Sequence, residues 1–501
     1  MPLGDLLVRA KLVSPEQVAK ALALQNEKGG RLGDHLVAMS AITRDALDAF
    51  LYRMPAPPKT LADTNVDIVD LLALLMKLIE KGRLESVRQY ADAIKLPTQI
   101  VLEVVRLAVD RKLLFSLGRR ATDVPSGSPE MNYAVTEEGK RWTLDVMNQS
   151  RYAGPAPVTL QEFTDQVNQQ KLTNELVTCD RIRHAMSDLT VGESLIEQTG
   201  PALNSGRAIL LYGPPGNGKT SLAVRLASVY NDVIYVPYSV IVDGQIINIF
   251  DPSIHIPVPI PSPKLSPAFS EVPASLLRRE ECDARWIPCR RPWVIAGGEL
   301  TLEMLDLRYD ETARFYEAPL HMKVMGGCFI IDDFGRQLVS PTKLLNRWIV
   351  PLENRVDYLK LHTGKSFSIP FDEIVIFSTN LEPEDLMDPA FLRRLPYKIE
   401  VGSPSIDVFR RIFEIQCEPH GLTLTEEIFD FIVHRITVEK DLQLAAYHPK
   451  FIIDQVVATC RFIGQVPSLE ERFLEYAIDN LRVKRNGLIS HKTQPPAQLY
   501  K

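Results

Sequence analysis

The sequence predicts a multidomain protein: a small α-helical repeat, an α+β unit, and an α/β core that carries a glycine-rich loop and ends in helices. Three observations predict it. The first fifty residues repeat with an offset of 29, residues 65–150 read as three helices, a hairpin and a closing helix, and Ala208–Val229 passes from an apolar strand through a glycine-rich turn into a helix.

A chain of 501 residues with 45% hydrophobic content has room for about three packed domains. A net charge of −6 gives no overall basic bias toward nucleic acid or anionic membrane. The six cysteines include no Cys-x2-Cys pair, which argues against a disulfide framework or a zinc ribbon and fits a reducing compartment. Asp5, Arg9 and Lys11 stand where a signal peptide needs its apolar stretch, and no run of 18 apolar residues occurs. The expectation is a cytoplasmic protein without membrane insertion.

In the repeat, Leu3-Gly-Asp-Leu-Leu-Val returns as Leu32-Gly-Asp-His-Leu-Val, and Val13/Ile42, Ser14/Thr43, Glu16/Asp45, Val18/Leu47 and Leu22/Leu51 continue the match. Ser14-Pro15-Glu16-Gln17 supplies a helix cap, a proline at the first helical position and a capping-box glutamine. Over residues 2–51 this tandem unit resembles the N-terminal cyclic-di-GMP-binding domain of type II secretion and type IV pilus assembly ATPases. In that family an arginine usually precedes each Leu-Gly and a glycine follows the Leu-Val stretch. Here Arg31 keeps the arginine of the second copy, Pro2 replaces that of the first, and Lys11 and Ser40 or Ala41 stand near the glycine positions. Two readings stay open for residues 1–53: a helical docking module without dinucleotide, which is favoured, and a cyclic di-GMP site.

Met54-Pro-Ala-Pro-Pro-Lys59 reads as a stiff linker within 54–64. Beyond it, residues 66–81 and 84–94 and Thr98–Lys112 read as helices, Leu113–Leu117 and Met131–Val135 as strands about the Pro125–Pro129 turn, and Thr136 opens the closing helix. This order resembles a winged-helix domain, in whose DNA-binding members the third helix enters the major groove. Residues 65–150 hold 12 acidic residues against 12 Lys and Arg, which is not a phosphate-binding footprint. Protein docking is the favoured role, with DNA as the alternative through Arg119 and Arg120 on the wing. Residues 151–180 read as a second linker, followed by an apolar helix near Leu189–Leu203.

Gly213-Pro-Pro-Gly-Asn-Gly-Lys-Thr220 matches Gly-x4-Gly-Lys-Thr in sequence and setting. Gly213, Gly216 and Gly218 let the backbone turn its N–H groups onto an anion, and the helix opening near Lys219 adds its positive dipole end. Lys219 reaches the β- and γ-phosphates and Thr220 ligates Mg²⁺. With Pro214, Pro215, Asn217 and Ser221 these residues make the predicted ATP site. The strand Val233-Ile-Tyr-Val-Pro-Tyr238 follows the helix as a parallel sheet requires. Cys328-Phe-Ile-Ile-Asp-Asp-Phe334 has the Walker B pattern, an apolar strand delivering Asp332 to the Mg²⁺, and Ile374-Val-Ile-Phe-Ser-Thr-Asn380 ends in a residue that can orient water at the γ-phosphate.

With Asp388-Pro-Ala-Phe-Leu-Arg-Arg394 and Tyr397-Lys-Ile-Glu-Val401, these pieces resemble the AAA+ ATPase family over about residues 180–480. The resemblance implies that Asn380 is sensor 1 and that Arg393 or Arg394 is the arginine finger acting on a neighbouring subunit. Arg394 is preferred, because its four-residue spacing to Lys398 fits the usual finger position. The chain departs from the family twice. Asp332-Asp333 stands where Asp-Glu is usual, so the shorter Asp333 must polarise the attacking water, and a shift of about 1 Å can cost about 10²-fold. Sensor 2, normally arginine, is Lys450, which keeps the charge and loses the fork.

Domains are thus expected at 181–401 for the α/β core, with an insert at about 239–291, and 402–490 for the lid. The middle of the insert, Asp251–Pro273, has seven prolines and cannot be regular helix or central strand, whereas Val240–Phe250 and Trp286–Ala296 read as strands of a β extension. Leu352–Pro370 alternates about His362-Thr-Gly-Lys365 as a hairpin, which resembles the pre-sensor-1 hairpin of the MoxR and enhancer-binding branches. The resulting expectation is an Mg·ATP-hydrolysing ring, a hexamer, that remodels or regulates a partner protein, with pilus or secretion machinery as the suggested setting. An ATP-dependent DNA-binding regulator and a slow nucleotide switch remain the alternatives.

Overall fold

The computed structural model describes residues 7, 12–28, 32–44, 46–47, 55–120, 130–230, 232–258, 282–386 and 389–481. Most of the first repeat signature and the Pro125–Pro129 turn lie outside them. In the N-terminal module, helices Pro15–Lys28 and Leu32–Ala38 enclose one cluster containing Leu7, Val13, Val18, Leu36, Ile42 and Leu47. These are three pairs of repeat mates, so the 29-residue spacing places equivalent side chains in a shared core. Ser14 and Gln17 form the reciprocal cap: Gln17 Oε1 accepts from Ser14 N at 2.8 Å and Ser14 Oγ accepts from Gln17 N at 3.3 Å.

The next unit has helices Ile68–Gly82, Val87–Ile94 and Thr98–Asp110, a hairpin of β1 (Leu114–Arg120) and β2 (Glu130–Val135), and the helix Glu137–Gln149. Asp67, Ser86 and Thr136 cap three of these helices with side-chain oxygens. Leu71, Leu75, Ile100, Val104 and Val105 form its interior, at most 1% exposed.

Residues 151–180, expected as a linker, are instead folded into the body. Val158–Thr159 (β3) pairs with a later strand, Thr159 and Glu162 make a capping box for the helix Leu160–Gln169, and Tyr152 is buried with its hydroxyl 2.9 Å from Ser239 Oγ. The 54–64 segment is also docked: Asp283 N donates to Pro55 O at 2.7 Å. Arg285, 2% exposed, explains the junction. Its guanidinium donates to Thr64 O and Pro157 O, one from each predicted linker, and pairs with Asp283 and Glu162. A buried guanidinium is tolerated only when its donors are met, so this residue draws both segments onto the core. The prolines mark where each segment is irregular, and they say nothing about the helix Leu160–Gln169 or the docking.

The central sheet is parallel and five-stranded, built from β4 (Ile209–Tyr212), β9 (Trp293–Ala296), β12 (Cys328–Ile331), β15 (Ile374–Thr379) and β16 (Tyr397–Glu400) in the order β16-β4-β15-β12-β9. The strand after the Lys219 helix, β5 (Val233–Pro237), is not part of it. It pairs antiparallel with β8 (Trp286–Arg290), and β9 takes the place beside β12. Arg291-Pro292 separates β8 from β9. Cys328 N donates to Pro292 O at 3.0 Å, and a Cβ on Gly327 would lie 1.8 Å from that oxygen, so a glycine is required at this crossing.

The expected β extension at 239–291 is likewise corrected. β6 (Ser239–Val242) and β7 (Gln245–Asn248) form a hairpin in a second five-stranded sheet, which recruits β3 from before the core and β10 (Arg308–Asp310) and β11 (Phe315–Glu317) from after the insert, in the order β10-β11-β7-β6-β3. Most of the proline-rich stretch lies outside the described residues. β13 (Val356–Lys360) and β14 (Ser366–Pro370) make a two-stranded hairpin about residues 361–365. The C-terminal helices Ile406–Cys417, Glu426–His434, His448–Phe462 and Glu471–Asp479 enclose a separate core around Phe409, Phe413, Phe429, Ile452 and Leu474. No described helix is long and apolar enough to cross a membrane.

Candidate functional site

The site forms at the carboxyl ends of β4, β12 and β15, where strand polarity points backbone and side chains into one crevice. After β4 the chain turns through Gly213, Gly216 and Gly218 with φ of 134°, 82° and 83°. A Cβ at Gly213 would stand 2.6 Å from Val401 O and one at Gly216 would stand 2.3 Å from the Tyr447 ring, so both glycines are required by close approach. At Gly218 a Cβ would meet nothing within 4 Å. The loop there faces open space at the start of the Lys219–Ala227 helix, which leaves room for an anion on the helix N-terminus.

Lys219 is buried, and its ammonium donates to Gly213 O and Pro214 O, both at 2.8 Å. Burial pushes it below the ordinary lysine value, while the Asp333 and Asp332 carboxylates act the other way. Thr220 Oγ1 donates to the Asp332 carboxylate at 2.9 and 3.0 Å, bringing together the hydroxyl and the carboxylate expected to hold Mg²⁺. Asn380 Nδ2 donates to Asp333 Oδ1 at 2.8 Å. Residues 112 and 47 positions apart in sequence are thereby joined in two adjacent pairs.

Asp333 has φ 48°, in the left-handed region. Aspartate and asparagine tolerate this conformation better than longer side chains, which gives a local reason for aspartate where the resembling family has glutamate. Sequence reasoning missed the residue that holds this turn. Gln337 donates through Nε2 to Asp332 O at 3.0 Å and Asp333 O at 3.3 Å, and its Oε1 accepts from Gly335 N at 2.8 Å. Phe334 N donates to Ser378 O at 2.7 Å and Thr379 Oγ1 to Phe334 O at 2.8 Å, which ties the turn to the strand bearing Asn380. Nothing in a lone glutamine after a Walker B strand marks it for this task.

Asn217, predicted only as part of the loop, contacts the segment that leads into the helix His448–Phe462: its Oδ1 accepts from Ala446 N at 3.2 Å, and Tyr447 N donates to Gly216 O at 3.0 Å. Tyr447 precedes the helix carrying Lys450, which lies exposed in that helix's first turn. Pro214, Pro215 and Ser221 are exposed around the loop. Arg394 is not brought to the site; its Nε donates to Glu353 Oε1 at 2.6 Å, on the helix Pro341–Asn354. Arg393 follows the short helix Pro389–Leu392, and neither arginine is paired with Thr220, Asp332 or Asp333.

Beside Tyr447, His448 is buried, its Nδ1 accepts from Ala445 N at 3.2 Å, and burial lowers its pKa to about 4. Its neutral form is the folded form. The unfolded chain takes up the proton at about 6.5, so this contribution is complete above that pH and is lost as pH falls from there toward about 4. We expect about 3 kcal/mol of stability to disappear across this window, and His448→Gln to remove that part of the dependence. Denaturant titrations of both proteins at pH 7.5 and pH 5 test it, and an identical pH dependence in the variant would refute it.

Residues 405–480, which span the C-terminal helices, match a family described as a domain of unknown function (DUF8689). No curated protein sequence matches the chain. Among solved structures, NtrX from Brucella abortus is 12% identical, with 66% of this chain and 61% of that one covered and a TM-score of 0.34. This chain thus spans about three fifths of that structure. A RuvB mutant from Thermotoga maritima is 12% identical over 62% of this chain and 73% of that one, with a TM-score of 0.30. The FIGL-1 AAA domain in complex with ADP is 12% identical over 63% and 81%, with a TM-score of 0.30.

Proposed function

We propose that the chain is an AAA+ type ATPase that binds Mg·ATP at Gly213–Thr220 and couples its hydrolysis to the remodelling or regulation of a partner protein. The observation that carries this reading is the pairing of Thr220 with Asp332 and of Asn380 with Asp333 beside an open glycine loop. A parallel sheet in the order β16-β4-β15-β12-β9 puts all four side chains at one edge.

The donor set fits the metal: a hydroxyl and a carboxylate, both hard oxygen ligands. Mg²⁺ held by Thr220 and Asp332 would neutralise charge between the β- and γ-phosphates. The backbone N–H groups of the loop and Lys219 bind the phosphates, for which the ammonium must leave the carbonyls of Gly213 and Pro214. Asp333 accepts a hydrogen bond from the attacking water and Asn380 fixes the orientation of its carboxylate. The remaining negative charge is met by Arg394 of a neighbouring subunit, which makes a ring, expected to be a hexamer, the active form. Tyr447 and Asn217 connect the loaded cradle to the lid, so nucleotide state is passed to the C-terminal helices. The repeat module and the winged-helix-like unit select the partner, a protein in preference to DNA.

Turnover measured against protein concentration tests this. Specific activity should rise steeply as chains assemble, and equal activity in a proven monomer would refute the shared site. A second reading, a slow nucleotide switch, is favoured by one observation: Asp333 is short, left-handed in backbone and already held by Asn380. Turnover that stays slow in assembled rings while ATP and ADP alter partner binding would select it.

A further inference from the structure

A cavity lies where the 65–150 unit meets the second sheet, and the ATPase reading does not use it. It has a volume of about 160 Å³ and is bounded by the helix Ile68–Gly82, the end of the helix Glu137–Gln149, the turn between β6 and β7, and Arg314 between β10 and β11. Three charged residues line it: Lys77, Arg314 and Asp70.

Lys77 forms the floor. It interrupts an otherwise apolar face of its helix, between the buried residues Leu74, Leu75, Met76 and Leu78, and is 4% exposed. A buried ammonium has three donors to satisfy. The described residues meet one of them, at Ser150 O, 3.1 Å away. Burial accordingly pushes its pKa down to about 8, against the attraction of Asp70. A leucine or methionine here would extend the apolar face without that cost, so the charge needs a reason beyond packing. Part of it is the C-terminus of the helix Glu137–Gln149, where Lys77 meets Ser150 O and Arg314 Nη1 donates to Asn148 O. That leaves two donors of the buried Lys77 unmet among the described residues, beside a cavity whose wall also includes the exposed Arg314 and Asp70.

We propose that this cavity binds a small hydroxy or amino acid, whose carboxylate takes the free donors of Lys77 and Arg314 and whose hydroxyl or amine donates to Asp70. The size agrees: a cavity of about 150 Å³ accommodates a ligand of about six heavy atoms. Two cations and one carboxylate in the wall leave one positive charge, which a hydroxy acid's carboxylate balances; a zwitterionic amino acid matches the three groups pairwise without changing that net charge. The walls come from the 65–150 unit and from the sheet of the core, so the bound acid strengthens the docking of one on the other.

Calorimetric titration of the full chain with glycolate, lactate, alanine and serine tests the proposal, and acetate tests the carboxylate alone. At least one hydroxy or amino acid should bind saturably with a Kd of about 1 mM or tighter and bind more tightly than acetate. Lys77→Met should keep the fold and weaken binding at least about tenfold. Ala73→Leu, which fills the cavity without changing charge, should weaken it as well. Bound ligand should also protect Lys77 from amine acylation. The proposal is overturned if no panel member binds the wild-type chain below about 10 mM, or if Lys77→Met and Ala73→Leu both bind as the wild type does. None of these readouts depends on ATP turnover.

Discussion

Arg394→Ala is expected to lower the turnover of the assembled protein by about 10³–10⁵-fold, the loss that follows removal of an arginine finger. ATP binding by the separate chain should be unchanged. The reasoning begins with where Arg394 is held. It pairs with Glu353, near the end of the helix Pro341–Asn354, and the pair is partly exposed. An exposed pair of this kind contributes at most about 1 kcal/mol, so a large loss of activity without loss of stability would point to a role across a subunit boundary. Glu353→Gln provides the control, because it removes this ion pair and keeps Arg394, and it should leave turnover within a few fold of wild type. Mixing gives the sharper result. Arg394→Ala chains keep an intact Asp332, Asp332→Asn chains keep the arginine, and a mixture of the two should recover part of the activity that each lacks. No recovery in mixed rings, or an equal loss in dilute monomer, would count against a trans-acting role.

Asp333→Asn should reduce turnover by about 10²–10⁴-fold, the usual contribution of a positioned general base, and should leave nucleotide affinity nearly unchanged. Asparagine is the informative substitution because it tolerates the left-handed backbone at φ 48° and keeps an oxygen for the Asn380 amide. Glutamate restores the side chain usual in the resembling family and must accept that backbone, at a cost of about 1–2 kcal/mol. If Asp333→Asn turns over like the wild type, the water is activated elsewhere and the assignment fails. Single-turnover measurement on assembled protein separates this outcome from slow product release.

The candidate site was legible where its chemistry is local. A glycine loop between a strand and a helix, two adjacent acids at the end of an apolar run, and a polar residue ending another such run are visible one stretch at a time. Their mutual contacts, Thr220 with Asp332 and Asn380 with Asp333, follow once the strands lie parallel and adjacent. Gln337 was not legible, because its role depends on a turn whose carbonyls converge only in the folded chain. The contact of Asn217 and Gly216 with Ala446 and Tyr447 was hidden for the same reason: it joins positions about 230 residues apart.

The fold divides along the same line. By itself the sequence determined the Ser14–Gln17 cap, the helix start at Thr136, the helix-and-hairpin order of residues 65–150, the hairpin about residues 361–365 and the strands that carry the site. Each of these depends on periodicity, capping or turn chemistry within a few residues. Only the tertiary structure decided that β9 and not β5 stands beside β12, that the second sheet takes strands from three separated stretches, and that the two apparent linkers are fixed by Arg285. A strand's hydrophobic pattern shows that it needs partners, but the choice among partners is made by long-range packing. A buried charge such as Arg285 or Lys77 shows its purpose only when the groups that satisfy it, or fail to, are assembled around it.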